Sequence, residues 1–497
     1  VSNASFAYDV GIMMRLGAVA LLCISAAGAD WPQFRGPNGS GTAETDALPV
    51  DFGPARNVAW KTEIPPGHSS PVIAGDRIFL TAFYGGVRTD AGREKVVDEG
   101  GKLYTICLDL RNGKILWKKE VPRPRLERYQ PTNSPASPSP VTDGKSVFVF
   151  FGDFGLLAYD MNGKELWQRP LGPFNNVNGH GSSPVLVDEF VVLLCDQDTG
   201  SYLLAVEKET GRTAWKTERP DVTRSYSTPA VLRPKSGPPE LIVPGSYQLA
   251  SYNARTGERL WWIQGMSWQP KSTPIVDGDV VYAHWWEHGG EAEQPTETPT
   301  YEDTLARFDS NRDKLLSAEE FAAEPRVQKT FYTIDLASDG LVDERDWNFY
   351  RERVAARNAL IAVRHGPRGD LTGSSSVLWR LQKFLPNVPS PLLYRSTLYL
   401  VKDGGILTTL DPATGRILKQ GRLPGALDTY YASPIAGAGH VYFVSQNGKM
   451  TVVKAGGEWE VAASIDFEEE CYATPAIVDN SLYVRTRSAL YCFTAKR

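Results

Sequence analysis

The chain has 497 residues, of which 42% are apolar and 22% charged, close to the globular average; this excludes a disordered or collagen-like polymer and leaves several domains or one large repeat architecture. Lys plus Arg is 53 against 58 Asp plus Glu, a net charge of -5 without the basic excess that phosphate backbones demand, so nucleic acid is excluded as a partner. The 45 Gly and 35 Pro, together with 13 Trp, 21 Tyr and 19 Phe, predict many short strands joined by turns, an all-β fold.

Met13, Met14 and Arg15 precede the apolar run from Leu16 to Ala27, which closes on Ala27-Gly28-Ala29: the n-region, h-region and cleavage site of a secretory signal, in order. The run is shorter than the roughly 20 residues of a membrane span, and no later stretch approaches that length. Cleavage and retention as an anchor are both compatible with it. Residues 1–29 are therefore set apart as signal and upstream residues, residues 30–56 form a lead-in, and a periplasmic or secreted location is expected. Cys107, Cys195, Cys471 and Cys492 are too scattered for a disulfide framework and lack zinc spacing, which predicts buried strand thiols.

From residue 57 onward the chain repeats. A Ser or Thr followed by Pro and then aliphatic residues recurs at Pro71, Pro140, Pro184, Pro229, Pro274, Pro391, Pro434 and Pro475, at spacings of 69, 44, 45, 45, 117, 43 and 41 residues. After most of these comes a Gly turn and a short run opening near Trp, as in Asp160-Met-Asn-Gly163-Lys-Glu-Leu-Trp167; the same signal is read at Trp117, Trp215, Trp261, Leu418 and Trp459. Apolar stretches such as Val147–Phe151 and Leu156–Tyr159 fill the space between. Each unit of about 44 residues thus supplies four strands, one propeller blade, and eight units make an eight-bladed propeller. The turn Gly takes a positive φ, and the Trp packs between blades. The eighth unit has room for three strands only, whereas Asn57–Ile64, with Trp60, is an orphan fourth strand, so the two ends are expected to zip the ring closed. An open array or two smaller propellers would leave both ends unpaired.

These two signals resemble the pyrroloquinoline quinone (PQQ) type repeats of bacterial extracytoplasmic propellers, which include quinoprotein dehydrogenases and the lipoprotein of the outer-membrane assembly machine. Trp31-Pro-Gln-Phe-Arg-Gly-Pro-Asn-Gly39 is similar to the lead-in of many such proteins, and the resemblance covers roughly residues 30–290 and 358–497. It implies the fold more than any activity.

Two insertions interrupt the repeat, about Tyr84 to Gly101 and about His288 to Arg357, each between the second and third strands of a blade and hence on one face. The propeller is accordingly divided into residues 57–287 and 358–497. In the second insertion an EF-hand pattern appears, with Asp309, Asn311, Asp313, Ser317 and Glu320 as oxygen ligands and Leu315 offering its carbonyl, the set a hard, seven-coordinate Ca²⁺ requires. Lys314 stands where Gly normally takes the sharp turn, a cost of about 1 kcal/mol. A second loop 26 residues on offers Asp335, Asp339, Leu341, Asp343 and Asp346; with Ala337 at a ligand position and the shorter Asp346 at its end, it is expected to bind weakly or to serve as partner to the first.

Residues two to five before each proline are expected to ring the axial mouth: His68, His180, Arg224, Tyr226, Lys271, Asn387, Tyr430, Tyr431, Glu470 and Tyr472. Such polar and aromatic groups suit a carbohydrate-like ligand or a protein segment. In the resembled dehydrogenases PQQ lies over the axis between a disulfide of adjacent cysteines and a Trp, beside a calcium held by Glu, Asn and Asp. This chain has no adjacent cysteines and no positions matching that set. His284-Trp-Trp-Glu287-His288 matches a helical zinc signature but continues a strand, which sends the two His apart. The expectation is a monomeric binding or scaffold protein carrying Ca²⁺; the alternative is a PQQ-dependent oxidoreductase with an altered pocket.

Overall fold

The computed structural model describes residue 1 and residues 30–85, 88–89, 96–97, 100–291 and 298–495. Eight four-stranded antiparallel sheets follow in chain order, each opening just after one repeat proline, so blades 1 to 8 are counted from Pro71 to Pro475. Blade 1, for example, is Val72–Ala74, Arg77–Tyr84, Lys102–Asp109 and Ile115–Val121. The eighth blade supplies Ala476–Val478, Ser481–Arg485 and Ala489–Thr494, and its outer strand is Val58–Glu63 from the other end of the chain, with Trp60 opposite Cys492 and Lys61 opposite Tyr491. The ring is closed, as the orphan strands predict.

Middle strands are sandwiched between neighbouring blades and buried on both faces, which is why Ser146–Phe151 and Gly155–Asp160 read as continuous apolar runs. Outer strands meet solvent, as in Ile115–Val121 and Glu165–Pro170. Trp60, Trp117, Trp167, Trp215 and Trp379 on these strands each reach across to the next blade. Their Nε1–H groups donate to the carbonyls of Leu110, Met161, Lys208, Ala254 and Pro412 at 2.8–3.1 Å. Each ring also lies over the turn glycine of that blade: a Cβ on Gly113, Gly163, Gly211, Gly257 or Gly415 would fall 2.4–2.7 Å from it, and all five sit at φ between +69° and +82°. Trp and Gly are thus one clasp read twice in the sequence.

Two seams differ. Between blades 4 and 5 the strand Gly369–Asp370 adds in parallel beside Trp261 and Trp262, and the buried Trp261 turns its Nε1 to Glu240. Trp459, expected as an outer-strand clasp, stands just ahead of the strand Glu460–Asp466 and lies back against Gly421 of blade 6, where Leu418 fills the clasp position over Gly457.

The inner strands are only two or three residues long, and the Ser/Thr before each proline links them. Ser70, Ser139, Ser183, Thr273, Ser390 and Ser433 each donate a backbone N–H to the hydroxyl of the corresponding residue one blade on, at 2.9–3.0 Å. Proline donates nothing, so this is the last N–H before each inner strand. The lead-in crosses the opposite face: Trp31 pairs with Ile73 of blade 1, Pro32 accepts from Thr142, Asn38 bonds Val231 in both directions, Arg35 donates to Pro391, Gly41 and Ala43 bracket Ala436, and Thr45 reaches Asn480.

Residues 13–29, the signal-type segment, lie outside the described residues. Among the described residues no helix is long and apolar enough to cross a membrane. Of the first insertion, Arg88–Thr89 pairs with Val96–Val97. The second forms helices α1 (Tyr301–Phe308), α2 (Pro325–Thr330) and α3 (Glu344–Ala355) around Phe321, which stacks on Trp347 at 5.8 Å. It docks on the mouth face: the Leu336 carbonyl accepts from Asn175, Arg345 donates to the Asp198 carbonyl, and Arg353 lies 3.9 Å over the Trp268 ring.

Candidate axial binding site

Extended backbone sends successive side chains to opposite sides, and the segments entering the repeat prolines follow that rule. Residues three before the proline face the axis: His68, Ser137, Gly181, Tyr226, Lys271, Val388, Tyr431 and Tyr472, one per blade, ring a pocket of about 150 Å³. One step deeper the residues immediately before proline line it with hydroxyls (Ser70, Ser139, Ser183, Thr228, Ser390, Ser433, Thr474), and Phe34 of the lead-in joins them.

Of the ten residues expected at the mouth, the structure brings five together: His68, Tyr226, Lys271, Tyr431 and Tyr472. His180, Asn387 and Tyr430 stand four before the proline and turn away. His180 packs edge-on against Phe150 and Phe174, Tyr430 is fully buried among the residues between blades 6 and 7, and Asn387 is half-buried with Oδ1 enclosed. Arg224 and Glu470, five before it, are ion-paired with Asp198 and Arg487. Ser137, Gly181 and Val388 lie within the expected window but were not among the residues expected at the mouth, and the hydroxyl ring lies outside it; the period of two along each segment was the signal that could have found them.

The upper ring is lopsided. Tyr431, Tyr472 and His68 of blades 7, 8 and 1 form a continuous aromatic arc, with centroids 5.4 Å and then 4.1 Å apart, the last pair stacked at 12°. Lys271 of blade 5 stands across the ring from His68, and Ser137 and Gly181 leave the side between them low. Burial, reinforced by Arg485 and Arg487, pushes the His68 imidazole down to about 3, so it is neutral. Burial also lowers the Lys271 ammonium, opposed by Glu287. Tyr226 is held by Asn178 and Asn176, at 2.7 and 3.2 Å.

This lining does not fit PQQ with its calcium. Among the described residues the pocket offers no carboxylate to hold the ion and no cysteine pair to stack on the quinone. All four described cysteines are buried, Cys107, Cys195 and Cys492 within strands and Cys471 four before Pro475, facing the blade. His284 is likewise buried, its Nε2 3.0 Å from the Pro386 carbonyl.

In the inserted unit the two acidic loops lie side by side: Leu316–Ser317 pairs antiparallel with Leu341–Val342, so that the eighth residue of one loop faces the eighth of the other. Asp309 accepts from the N–H groups of Arg312 and Lys314, Asp313 from that of Leu315, and Asn311 from that of Asp313. Glu320 accepts from Ser317 N–H and hydroxyl and from Ser310, bonds that lower its carboxyl. Lys314 takes the sharp turn at φ +66°. In the second loop Asp335 accepts from Gly340, Asp339 from Leu341, and Asp343 caps α3 through Asp346 N–H. Burial and the neighbouring Asp343 and Asp335 push Asp346 up to about 7. Among the described residues no three His, Cys, Asp or Glu side chains are gathered as a metal centre; the carboxylates are engaged with their own loop backbone.

Fold and pocket together define a closed propeller of PQQ-like repeats with a polar and aromatic pocket on its axis. The sequence profile described as outer membrane protein assembly factor BamB matches residues 55–218, 102–289 and 330–497, and the chain belongs to that family. Similar solved structures include BamB from Moraxella catarrhalis, 9% identical, covering 88% of this chain and 98% of that one with a TM-score of 0.50. A europium-containing methanol dehydrogenase is 10% identical, covering 94% and 98% at 0.57. Quinohemoprotein alcohol dehydrogenase ADHIIG from Pseudomonas putida HK5 is 13% identical, covering 94% and 81% at 0.53. Identities this low show the shared fold alone. None of the curated proteins compared with the chain matches it.

Proposed function

We propose that this chain is an extracytoplasmic binding or scaffold protein that holds a small polar ligand at the propeller mouth and carries calcium in an inserted EF-hand pair. The observation that carries the binding reading is the axial pocket. An aromatic arc faces Lys271 above a ring of hydroxyls, an arrangement that stacks against a flat face and hydrogen-bonds its edges. At about 150 Å³ it lies below the roughly 300 Å³ where pockets for drug-sized ligands begin, so it takes one sugar ring or one side chain of a protein segment. A glycan and peptide array probed with the full chain, Lys271→Met and Tyr472→Ala tests this: binding by the parent must be lost in both variants. Binding that both retain refutes the axial site. Turnover in a dye-linked dehydrogenase assay after addition of PQQ and Ca²⁺ refutes the non-enzymatic reading.

The calcium reading is supported by ligand spacing, by the eighth-to-eighth pairing of the loops and by the positive φ of Lys314. Calorimetric titration with CaCl₂ should show a site in the full chain that Glu320→Gln removes; equal binding by both proteins refutes the assignment. The extracytoplasmic location rests on the signal-type run of residues 13–29 and on family membership.

A further inference from the structure

Beside the axial pocket, between blades 8, 1 and 2, lies a second cavity of about 230 Å³. His68, Asn133 and Tyr472 line both, so the stacked His68–Tyr472 pair is the partition between them. The second cavity's wall is mixed: Pro66, Phe83, Tyr129, Pro131 and Pro135 build an apolar side, Asn133, Ser134 and Thr486 add polar groups, and Arg485, Arg487 and Glu470 form its charged end.

Arg485 is the unusual group. Four arginines are buried among the described residues, and two of them, Arg219 and Arg224, are paired with Asp196 and Asp198. Arg35 lies at the lead-in, donating to Pro391. Arg485, 1% exposed, lines the cavity and has no carboxylate partner among the described residues. Its donors go to neutral oxygens: Nη1 to the Ser69 carbonyl and hydroxyl and to the Thr81 carbonyl, Nη2 to the Pro65 carbonyl. Its Nε has no hydrogen-bond partner among the described residues. A guanidinium stays charged, and a buried charge without a counter-charge is costly unless an anion arrives to match it. The carboxylate at this end, Glu470, is taken by Arg487 at 3.0 Å, which leaves one positive charge uncompensated.

We propose that this off-axis cavity is a carboxylate site for a compact organic monocarboxylate, its charged end between Arg485 and Arg487 and its apolar body against Pro66, Phe83, Pro131 and Pro135. One uncompensated guanidinium matches one carboxylate, and the apolar side takes its body; the further charge of inorganic phosphate would go unmatched beside Glu470. The carboxylate site requires neither the axial ligand nor the calcium loops, although the cavity shares its His68–Tyr472 partition with the axial pocket.

Calorimetry on the full chain with benzoate, benzamide and inorganic phosphate tests it. Benzoate should bind one to one, benzamide, of the same shape without the charge, at least about tenfold more weakly, and phosphate not measurably. Arg485→Gln should abolish benzoate binding. Arg487→Gln, a change at an exposed residue, should weaken it about tenfold and decides the matter if the Arg485 variant does not fold. Benzoate should also raise the titration midpoint of the His68 imidazole in proton NMR, since a bound carboxylate offsets the two guanidinium groups beside it. Lys271→Met should leave benzoate affinity unchanged. Absence of benzoate binding at millimolar concentration, equal binding of benzamide, stronger binding of phosphate, an unaffected Arg487→Gln, or a loss in Lys271→Met each overturns the assignment.

Discussion

Removal of one clasp measures how blades are held to one another. Trp167 is 9% exposed, donates to the Lys208 carbonyl at 2.8 Å, packs against Phe148 and occupies the space where a Cβ on Gly211 would come within 2.7 Å of its ring. Trp167→Ala opens a cavity at the seam of blades 2 and 3, and truncations of this kind cost about 3–5 kcal/mol; about 4 is expected here. Gly211→Ala is opposed twice. A side chain at its φ of +69° costs about 1 kcal/mol, and driving the new methyl into the indole adds overpacking of about 1–3 kcal/mol. In the double variant the indole is absent, so only the conformational cost of the alanine remains. The pair should therefore cost about 2 kcal/mol less than the sum of its members. Urea unfolding of the four proteins in a double-mutant cycle gives that number directly. Additivity to within about 0.5 kcal/mol would show that the ring does not rest on the glycine, and the account of the Trp and Gly signals as one clasp would be wrong.

The hydroxyl chain makes a paired prediction: Ser183→Ala, which strips the acceptor from the buried Ser139 N–H, should cost about 1–3 kcal/mol in urea unfolding, whereas Ser70→Ala, whose hydroxyl has no partner, should cost under about 0.5. Burial holds His180 near 3 and His284 near 4, below the value of about 6.5 in an unfolded chain, so the unfolded state takes up protons first and stability falls as pH drops below about 6.5. His180→Gln should flatten that fall by about 1.4 kcal/mol per pH unit in urea titrations between pH 6.5 and 4.5; an unchanged slope counts against a buried neutral imidazole. Asp346 shifts the other way. Held up at about 7, it favours the folded state at low pH, and that contribution is lost as pH rises from about 4 through 7. In chelator-treated protein, Asp346→Asn should raise the melting temperature at pH 8 and do little at pH 4.5; no difference between the two conditions refutes the buried, proton-holding carboxyl.

The architecture was legible because it repeats. Proline spacing located eight inner strands, and the orphan strand at Trp60 pointed to closure onto the last strand, where it pairs beside Tyr491 and Cys492. The mouth was legible only in part, because spacing places a residue along the chain, not on a side of it. Lys271 and Asn387 were equally eligible by distance from their prolines, yet extended backbone turns one to the axis and the other to the blade. Trp459 misled for a related reason: it stands two residues after Gly457, where Trp117, Trp167 and Trp215 stand four after their turn glycines, and so falls ahead of its outer strand. Arg485 could not be singled out at all, since its acceptors Ser69 and Thr81 lie more than 400 residues away in the chain and only ring closure brings them together.

The lead-in from Trp31 to Thr45 is bonded to blades 1, 2, 4, 6, 7 and 8 across the face opposite the mouth. It behaves as a harness: a pull applied ahead of Trp31 is shared among six sectors of the disc instead of peeling a single edge. A propeller slung in this way can hang from its leading end with its mouth turned outward and its seams unstressed.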